Sequence, residues 1–172
     1  MNKVLFKETQ QFRQWWSVVL MLASTVPVLI FSIYAFIQQV FRGIQVGDNP
    51  APNVVLVSLF FFMLVFIWGF FSMKLEVEIN EEGIHYRFFP LIRNVKMISK
   101  GEIQRFEIRK YKPILDYGGW GVKRKFKWGR AYNVSGNIGL QLYLTNGKKV
   151  LFGTQRSQAI KYAMDEVIKR KQ

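Results

Sequence analysis

Residues 54–88 read VVLVSLFFFMLVFIWGFFSMKLEVEINEEGIHYRF, and within them the pattern of apolar and charged residues changes. No side chain between Val54 and Met73 carries a charge, and a helix of this length reaches about 30 Å, the thickness of a bilayer's hydrocarbon core. From Lys74 onward, apolar residues alternate with charged ones, which is typical of a β-strand with one buried face. The segment therefore predicts a transmembrane helix followed almost without a linker by a β-rich domain.

An earlier stretch predicts a second membrane span. Residues 14–41 contain no charged side chain, and Val18–Ile37 is almost wholly apolar. Backbone amides in lipid must be hydrogen-bonded within the segment, so a helix is expected, with a kink at Pro27. A cleaved signal peptide is disfavoured, because its apolar region is only about 7 to 15 residues long and no small-x-small site closes this run. Residues 42–52 supply the turn, and residues 14–73 are expected to form a transmembrane helical hairpin.

The distribution of charge predicts the orientation of this hairpin. The formal net charge is +14, yet only four basic and two acidic residues precede Lys74. Three of those basic residues lie in the tail formed by residues 1–13, and the connecting loop has only Arg42. Because Lys and Arg accumulate on the cytoplasmic side of membrane proteins, we expect a multi-pass protein of the cell membrane with both termini in the cytoplasm.

The remaining residues, 74–172, are expected to form a cytoplasmic domain. Alternation predicts strands at Leu75–Ile79, Ile84–Phe88, Asn94–Ile98, Gln104–Tyr111, Val122–Trp128, Ile138–Leu144 and Lys148–Phe152. Asn146-Gly147 is a strong hairpin-turn signal between the last two. A helical stripe follows at Ile160, Ala163, Met164, Val167 and Ile168. The pattern predicts an α+β domain, an antiparallel sandwich or barrel of six to seven strands with one C-terminal helix.

A set of glycine and aromatic residues carries a family resemblance. The set comprises residues 116–121 (DYGGWG), 131–133 (AYN), Gly136, Gly139 and 153–155 (GTQ) before the terminal helix. Together with the element order, it resembles bacterial pleckstrin-homology-like (PH-like) domains fused to two N-terminal transmembrane helices, over most of the chain. The resemblance implies a PH-like fold in a membrane setting and carries over no catalytic residues.

No pattern in the chain indicates catalysis. The chain has one histidine, His85, and no cysteine, which excludes disulfides, thiolate metal sites and cysteine nucleophiles. It contains no HExxH motif, no Gly-x-Ser-x-Gly elbow, no phosphate-binding loop and no clustered carboxylates. We therefore expect a protein that is not an enzyme and that uses no cofactor and no metal.

The richest stretch combines basic and aromatic side chains. Its candidate contact residues are Tyr117, Trp120, Lys123, Arg124, Lys125, Lys127, Trp128 and Arg130. One interpretation is a solvated strand, with Lys123, Lys125 and Lys127 in water and Val122, Phe126 and Trp128 in the core. Another is contact with an anionic membrane leaflet, in which each basic residue near the surface contributes about 1 kcal/mol to the binding free energy. Single-stranded nucleic acid also suits such residues, but tethering at a membrane disfavours it.

These observations lead to a function hypothesis and one alternative. The hypothesis is a membrane-anchored, non-enzymatic module that docks on anionic lipid headgroups or on a partner membrane protein, including a second copy of itself. The alternative is an auxiliary subunit of a membrane transport or envelope complex, in which the transmembrane helices make the specific contacts through small residues such as Ala23, Ser24 and Gly69. The sequence leaves open whether Gly118–Gly121 forms a ligand pocket.

The predicted topology can be tested with reporter fusions. A reporter active only in the cytoplasm should be active when fused at Gln172 and inactive when fused at Asn49, because the two sites lie on opposite sides of the membrane. The same signal at both sites would contradict the hairpin.

Overall fold

The computed structural model describes residues 3–169, so residues 1–2 and 170–172, which the predicted tail and domain include, lie outside it. The chain forms two compact units. The first contains residues 12–72, and the second combines residues 3–11 with residues 73–169.

The first unit is a pair of helices that pack against each other, α1 (Trp15–Phe41) and α2 (Asn53–Ser72). Both helices are long and apolar enough to cross a membrane, as predicted. Pro27 lies inside α1, which continues past it. The buried residues of α1 are Ser17, Met21, Thr25, Ser32 and Ala35. Ala23 and Ser24 instead lie on the exposed side of α1, so they do not mark its contact with α2.

The second unit contains nine strands, of which the sequence predicted six or seven. The first sheet has the order β1 (Val4–Gln11), β2 (Lys74–Asn80), β3 (Gly83–Phe89) and β4 (Ile92–Ser99). The second has the order β5 (Ile103–Lys110), β8 (Ile138–Leu144), β9 (Lys149–Gly153), β7 (Gly129–Asn133) and β6 (Gly121–Lys125). A short helix, α3 (Pro113–Tyr117), precedes β6, and α4 (Ser157–Lys169) ends the described chain. Two long apolar helices followed by sheets and a C-terminal helix confirm the general layout.

The second sheet is not wholly antiparallel, contrary to the prediction. Strands β7 and β9 are parallel, and the other neighbouring pairs described in both sheets are antiparallel. The chain leaves β7, reverses direction in β8, and returns in β9, which inserts between the two. Such a pairing joins strands that are not consecutive, so alternation within each strand could not reveal it.

The residues predicted as a tail contribute a strand. Strand β1 pairs with β2 along its length, so the globular unit starts before α1 rather than at Lys74. The inward-facing residues of β1 are Phe6, Glu8 and Gln10, two of which are polar. An apolar periodicity is therefore missing, and this is why the strand was not predicted.

The buried polar residues of β1 bind the segment that leads from β9 into α4. Oγ1 of Thr154 donates a hydrogen bond to Oε2 of Glu8 at 2.6 Å, and the backbone N–H of Gln155 donates to Oε1 at 2.9 Å. Nε2 of Gln10 donates to the same Oε1 at 3.0 Å and to the carbonyl of Gly153 at 2.7 Å. A carboxylate is also favoured near a helix N-terminus by the helix dipole. Strand β1 is thus fixed to a segment 146 to 147 residues later in the chain.

The core lies between the two sheets and under α4. The rings of Tyr86, Tyr132 and Phe152 form a cluster with centroid distances of 4.9 to 5.5 Å. Helix α4 buries Ile160, Ala163, Met164 and Val167, which confirms four of the five residues of the predicted stripe, and the fifth, Ile168, is half-buried. Burial of each large apolar side chain stabilises the fold by about 1.5–3 kcal/mol.

Loss of the Glu8 carboxylate should destabilise the globular unit. Glu8→Ala leaves the hydroxyl of Thr154 and the amide of Gln155 without their acceptor, which costs about 1–3 kcal/mol of unfolding free energy. Thr9→Ala, on the exposed face of the same strand, is the control and should have little effect. Thermal melting of the full chain in detergent measures both, and equal melting temperatures for the two variants would contradict the role of Glu8.

Candidate functional site

The basic stretch forms a hairpin of β6 and β7. Lys123 lies opposite Ala131, and Arg124 lies directly opposite Arg130. Since successive side chains in a strand point to opposite faces, Arg124 and Arg130 share the face of Tyr132, which packs between the two sheets. Lys123 points to the other face. The two arginines therefore lie at the opening between the sheets.

The tip of this hairpin carries an exposed aromatic side chain. Phe126 is fully exposed, and Arg124, Lys125 and Lys127 around it are exposed as well. The interpretation that placed Phe126 in the core is therefore wrong. The residue lies in the turn between the strands, where no neighbouring element covers it.

Tyr117 belongs to the core and not to the contact surface, contrary to the prediction. Its side chain is buried at the end of α3, in a cluster with Tyr111, Ala131 and Leu151. Its hydroxyl donates to the carbonyl of Trp128 at 3.3 Å, and burial raises the pKa of Tyr117 to about 12. The residue therefore stays neutral and supports the hairpin from the face opposite Arg124.

The two predicted tryptophans are half-buried and also support the fold. Trp128 packs against the Tyr117 cluster, and the guanidinium of Arg109 lies 4.3 Å from its ring centroid. Arg109 is itself paired with Asp116 at 3.2 Å. Nε1 of Trp120 donates to the carbonyl of Gly136 at 3.2 Å. Neither indole is a freely projecting membrane anchor.

The glycines beside Trp120 shape the entry into the hairpin. Gly118 has φ of 75° and caps the C-terminus of α3, where the left-handed conformation favours glycine. The backbone N–H of Gly121 donates to Oδ1 of Asn133 at 3.0 Å and so joins the start of β6 to the end of β7. These contacts give the glycines at 118 and 121 a structural role.

A cleft of about 460 Å³ lies between the hairpin tip, the β8–β9 turn and the first sheet. Its basic lining residues are Arg124, Lys125, Lys127, Arg130, Lys148 and Lys149. The nearly buried lining residues are Tyr86, Ile98, Tyr132, Leu144 and Val150. The cleft is therefore amphiphilic, with an apolar floor and a basic rim.

Among residues 3–169, no carboxylate neutralises the positive charge of the rim. None of its six basic side chains has a carboxylate oxygen within 4.0 Å in the part of the chain that the structure describes, and no Asp or Glu lines the cleft. Clefts with low-dielectric walls and charges of one sign concentrate the electric potential. The arrangement attracts anions.

Tyr86, in the floor of the cleft, remains protonated. Burial raises the pKa of Tyr86, and a hydrogen bond with Tyr132 acts in the same direction, while the positive charge of Arg130 opposes both. The hydroxyl of Tyr86 therefore adds no negative charge to the cleft, which stays compatible with an anion at the rim.

Four of the eight predicted contact residues thus meet at one site: Arg124, Lys125, Lys127 and Arg130. Lys148 and Lys149, which were not predicted, join them because β9 pairs in parallel with β7, with Arg130 opposite Val150. Asn146-Gly147 predicted the turn, but local sequence pattern does not indicate which strand lies beside it.

Gly129 should be indispensable for the shape of the cleft. Its φ is 80°, and a Cβ there would overlap the carbonyl oxygen of Lys149. Gly147 has a similar φ of 76° but open space around it. Gly147→Ala should therefore lower the unfolding free energy only by the strain of a left-handed backbone, about 1–2 kcal/mol. Gly129→Ala should lower the unfolding free energy by more, because the overlap with Lys149 adds to that strain. Melting curves of the full chain measure the difference, and equal losses would contradict this packing.

Comparisons with protein-family models, with curated proteins and with solved structures find no match to this chain.

Proposed function

We propose that this chain is a membrane-anchored, non-enzymatic module, PH-like as the sequence resemblance implies, which docks on anionic lipid through the tip of the β6–β7 hairpin. The observation that carries the proposal is the fully exposed Phe126 with Lys125 and Lys127 on either side. An apolar ring can enter the headgroup boundary while the lysines stay among anionic headgroups. This combination is typical of segments that bind membrane surfaces.

The magnitudes favour weak, charge-dependent docking. Burial of a phenylalanine side chain contributes about 1.5–3 kcal/mol, and each nearby basic residue contributes about 1 kcal/mol at an anionic surface. Such binding would be too weak to recruit a soluble protein firmly. It is sufficient to orient a domain that is already tethered.

The short connections supply the tether. Strand β2 begins at Lys74, directly after α2 ends at Ser72 with only Met73 between them, and α1 begins shortly after β1 ends. If the two helices cross the membrane, these connections hold the globular unit near the headgroups. The effective concentration of lipid is then high, and a weak contact is populated without any recruitment step.

The proposal can be tested with a single label at the hairpin tip. The chain has no cysteine, so Phe126→Cys creates one thiol that takes an apolar, environment-sensitive fluorophore in the place of the ring. In full-length protein in nanodiscs of phosphatidylcholine with phosphatidylglycerol, we expect a blue shift and quenching by lipid-borne quenchers. High salt should reverse both, because the Debye length falls from about 8 Å to about 3 Å. In phosphatidylcholine alone the label should stay in water.

Matched variants distinguish docking through the hairpin tip from nonspecific adsorption to lipid. A label at Tyr162→Cys, an exposed aromatic position on α4, should not be quenched in either lipid. Lys125→Gln with Lys127→Gln should weaken quenching of the tip label, whereas Lys112→Gln with Lys161→Gln, both exposed positions outside the hairpin, should not. Absence of quenching at low salt in the anionic nanodisc, or equal quenching in the neutral one, would contradict lipid docking. The hairpin tip would then be expected to bind a partner membrane protein instead.

A further inference from the structure

The cationic rim of the cleft has a feature that hairpin docking does not require. Arg124 and Arg130 are direct cross-strand neighbours, and like charges in this position destabilise a sheet. Of the other arginines in the unit, Arg87 pairs with Glu76 and Arg109 pairs with Asp116. Arg93 and Arg156 also have no carboxylate within 4.0 Å among residues 3–169, but neither lies directly across a strand pair from another arginine. The Arg124–Arg130 pair has no such carboxylate among residues 3–169. A bound anion would supply the missing countercharge.

The lysines of the β8–β9 hairpin complete the rim. Lys148 and Lys149 lie on the side of the cleft formed by the Asn146-Gly147 turn. Nζ of Lys149 lies 3.5 Å from the carbonyl oxygen of Lys127, which ties the turn to the hairpin tip. Arg124, Arg130 and Lys148 thus present guanidinium and ammonium groups to one opening. Lys149 lines the cleft, but its ammonium lies 5.8 Å from the ring centroid of Tyr143, on the other face of the sheet. Guanidinium groups bind phosphate oxygens in a bidentate manner, and ammonium groups add point charge.

The dimensions and the floor of the cleft indicate more than a bare ion. A volume of about 460 Å³ falls within the usual range for small-molecule sites, about 300–1,000 Å³. The floor includes Ile98, Leu144 and Val150, which offer no hydrogen bonds from their side chains. A ligand that fills the cleft therefore places its charge at the rim and an uncharged part over the floor.

From these observations we infer that the cleft binds a phosphate group with two negative charges, as a phosphomonoester or pyrophosphate presents it, carried on a small molecule or on a lipid headgroup. The rim's Arg124, Arg130 and Lys148 hold the phosphate oxygens. The lipid-borne form rests on the proposed docking of the hairpin tip, whereas binding of a free phosphate compound does not.

The test uses full-length protein in neutral detergent and follows its melting temperature. Inorganic pyrophosphate should raise the melting temperature saturably, because a ligand that binds only the folded state stabilises it. Sodium chloride at equal ionic strength should not give a saturable rise. Dihexanoyl phosphatidic acid, a phosphomonoester, should bind more tightly than dihexanoyl phosphatidylglycerol, a phosphodiester with one charge. A response to pyrophosphate alone supports a free ligand, and a response to phosphatidic acid alone supports a lipid headgroup.

Variants locate the site and keep it separate from the hairpin tip. Arg124→Gln with Arg130→Gln removes the like-charge pair, so this variant should fold and should bind pyrophosphate at least about tenfold more weakly for each lost arginine. Lys148→Gln is a second variant with the same expected direction. Lys112→Gln with Lys161→Gln should bind as the unaltered chain does. Pyrophosphate binding in neutral detergent requires no membrane insertion, so failure of this site is distinguishable from failure of lipid docking, which the tip label reports in nanodiscs.

Two results would overturn the inference. The first is that pyrophosphate raises the melting temperature no more than sodium chloride does, and phosphatidic acid no more than phosphatidylglycerol does. The other is that the arginine variant and the Lys148→Gln variant respond as strongly as the unaltered chain.

Discussion

The pairing of β1 with β2 is the constraint on which the rest of the structure depends. These strands flank the two apolar helices in the chain, and their antiparallel register places Lys7 opposite Glu78 and Gln11 opposite Lys74. Two strands joined by hydrogen bonds must lie in the same compartment. If α1 and α2 cross a membrane, the chain therefore returns to its starting side. The buried Glu8 extends this closure to the start of α4, so the beginning and the end of the described chain are part of one folded unit.

The sequence was informative wherever one physical rule dominated. Uncharged runs predicted α1 and α2, alternation predicted β2 and β3, and a stripe of spacing three and four predicted α4. Strand β1 could not be predicted from apolar alternation, because its inward residues include Glu8 and Gln10, whose polar atoms bond to groups far along the chain. Strand β7 was missed because Ala131, Tyr132 and Asn133 are buried on both faces of the sheet, so no apolar–polar alternation marks it, and its parallel partner β9 is not adjacent in sequence. The pattern of residues within one strand does not reveal pairings between distant segments.

The candidate site shows the same limit at the level of side chains. Tyr117 and Phe126 both belong to the basic and aromatic stretch, yet the first is buried and the second is fully exposed. The difference arises because α3 directs Tyr117 under the hairpin, whereas Phe126 lies in its turn. The basic residues alone predicted an anionic partner. Only the fold showed that four of them share a cleft with Lys148 and Lys149. An exposed apolar ring is unfavourably solvated, and like charges directly opposite each other destabilise a sheet, so one anionic membrane surface would relieve both.

Amide hydrogen exchange of the full-length chain in nanodiscs tests most directly the claim that this hairpin meets anionic lipid. The account predicts that phosphatidylglycerol, compared with phosphatidylcholine alone, slows exchange at residues 124–130 and 146–149 and leaves the exposed surface of α4 unchanged. Protection that is equal in the two lipids, or that appears on α4 and not on the hairpin, would contradict it.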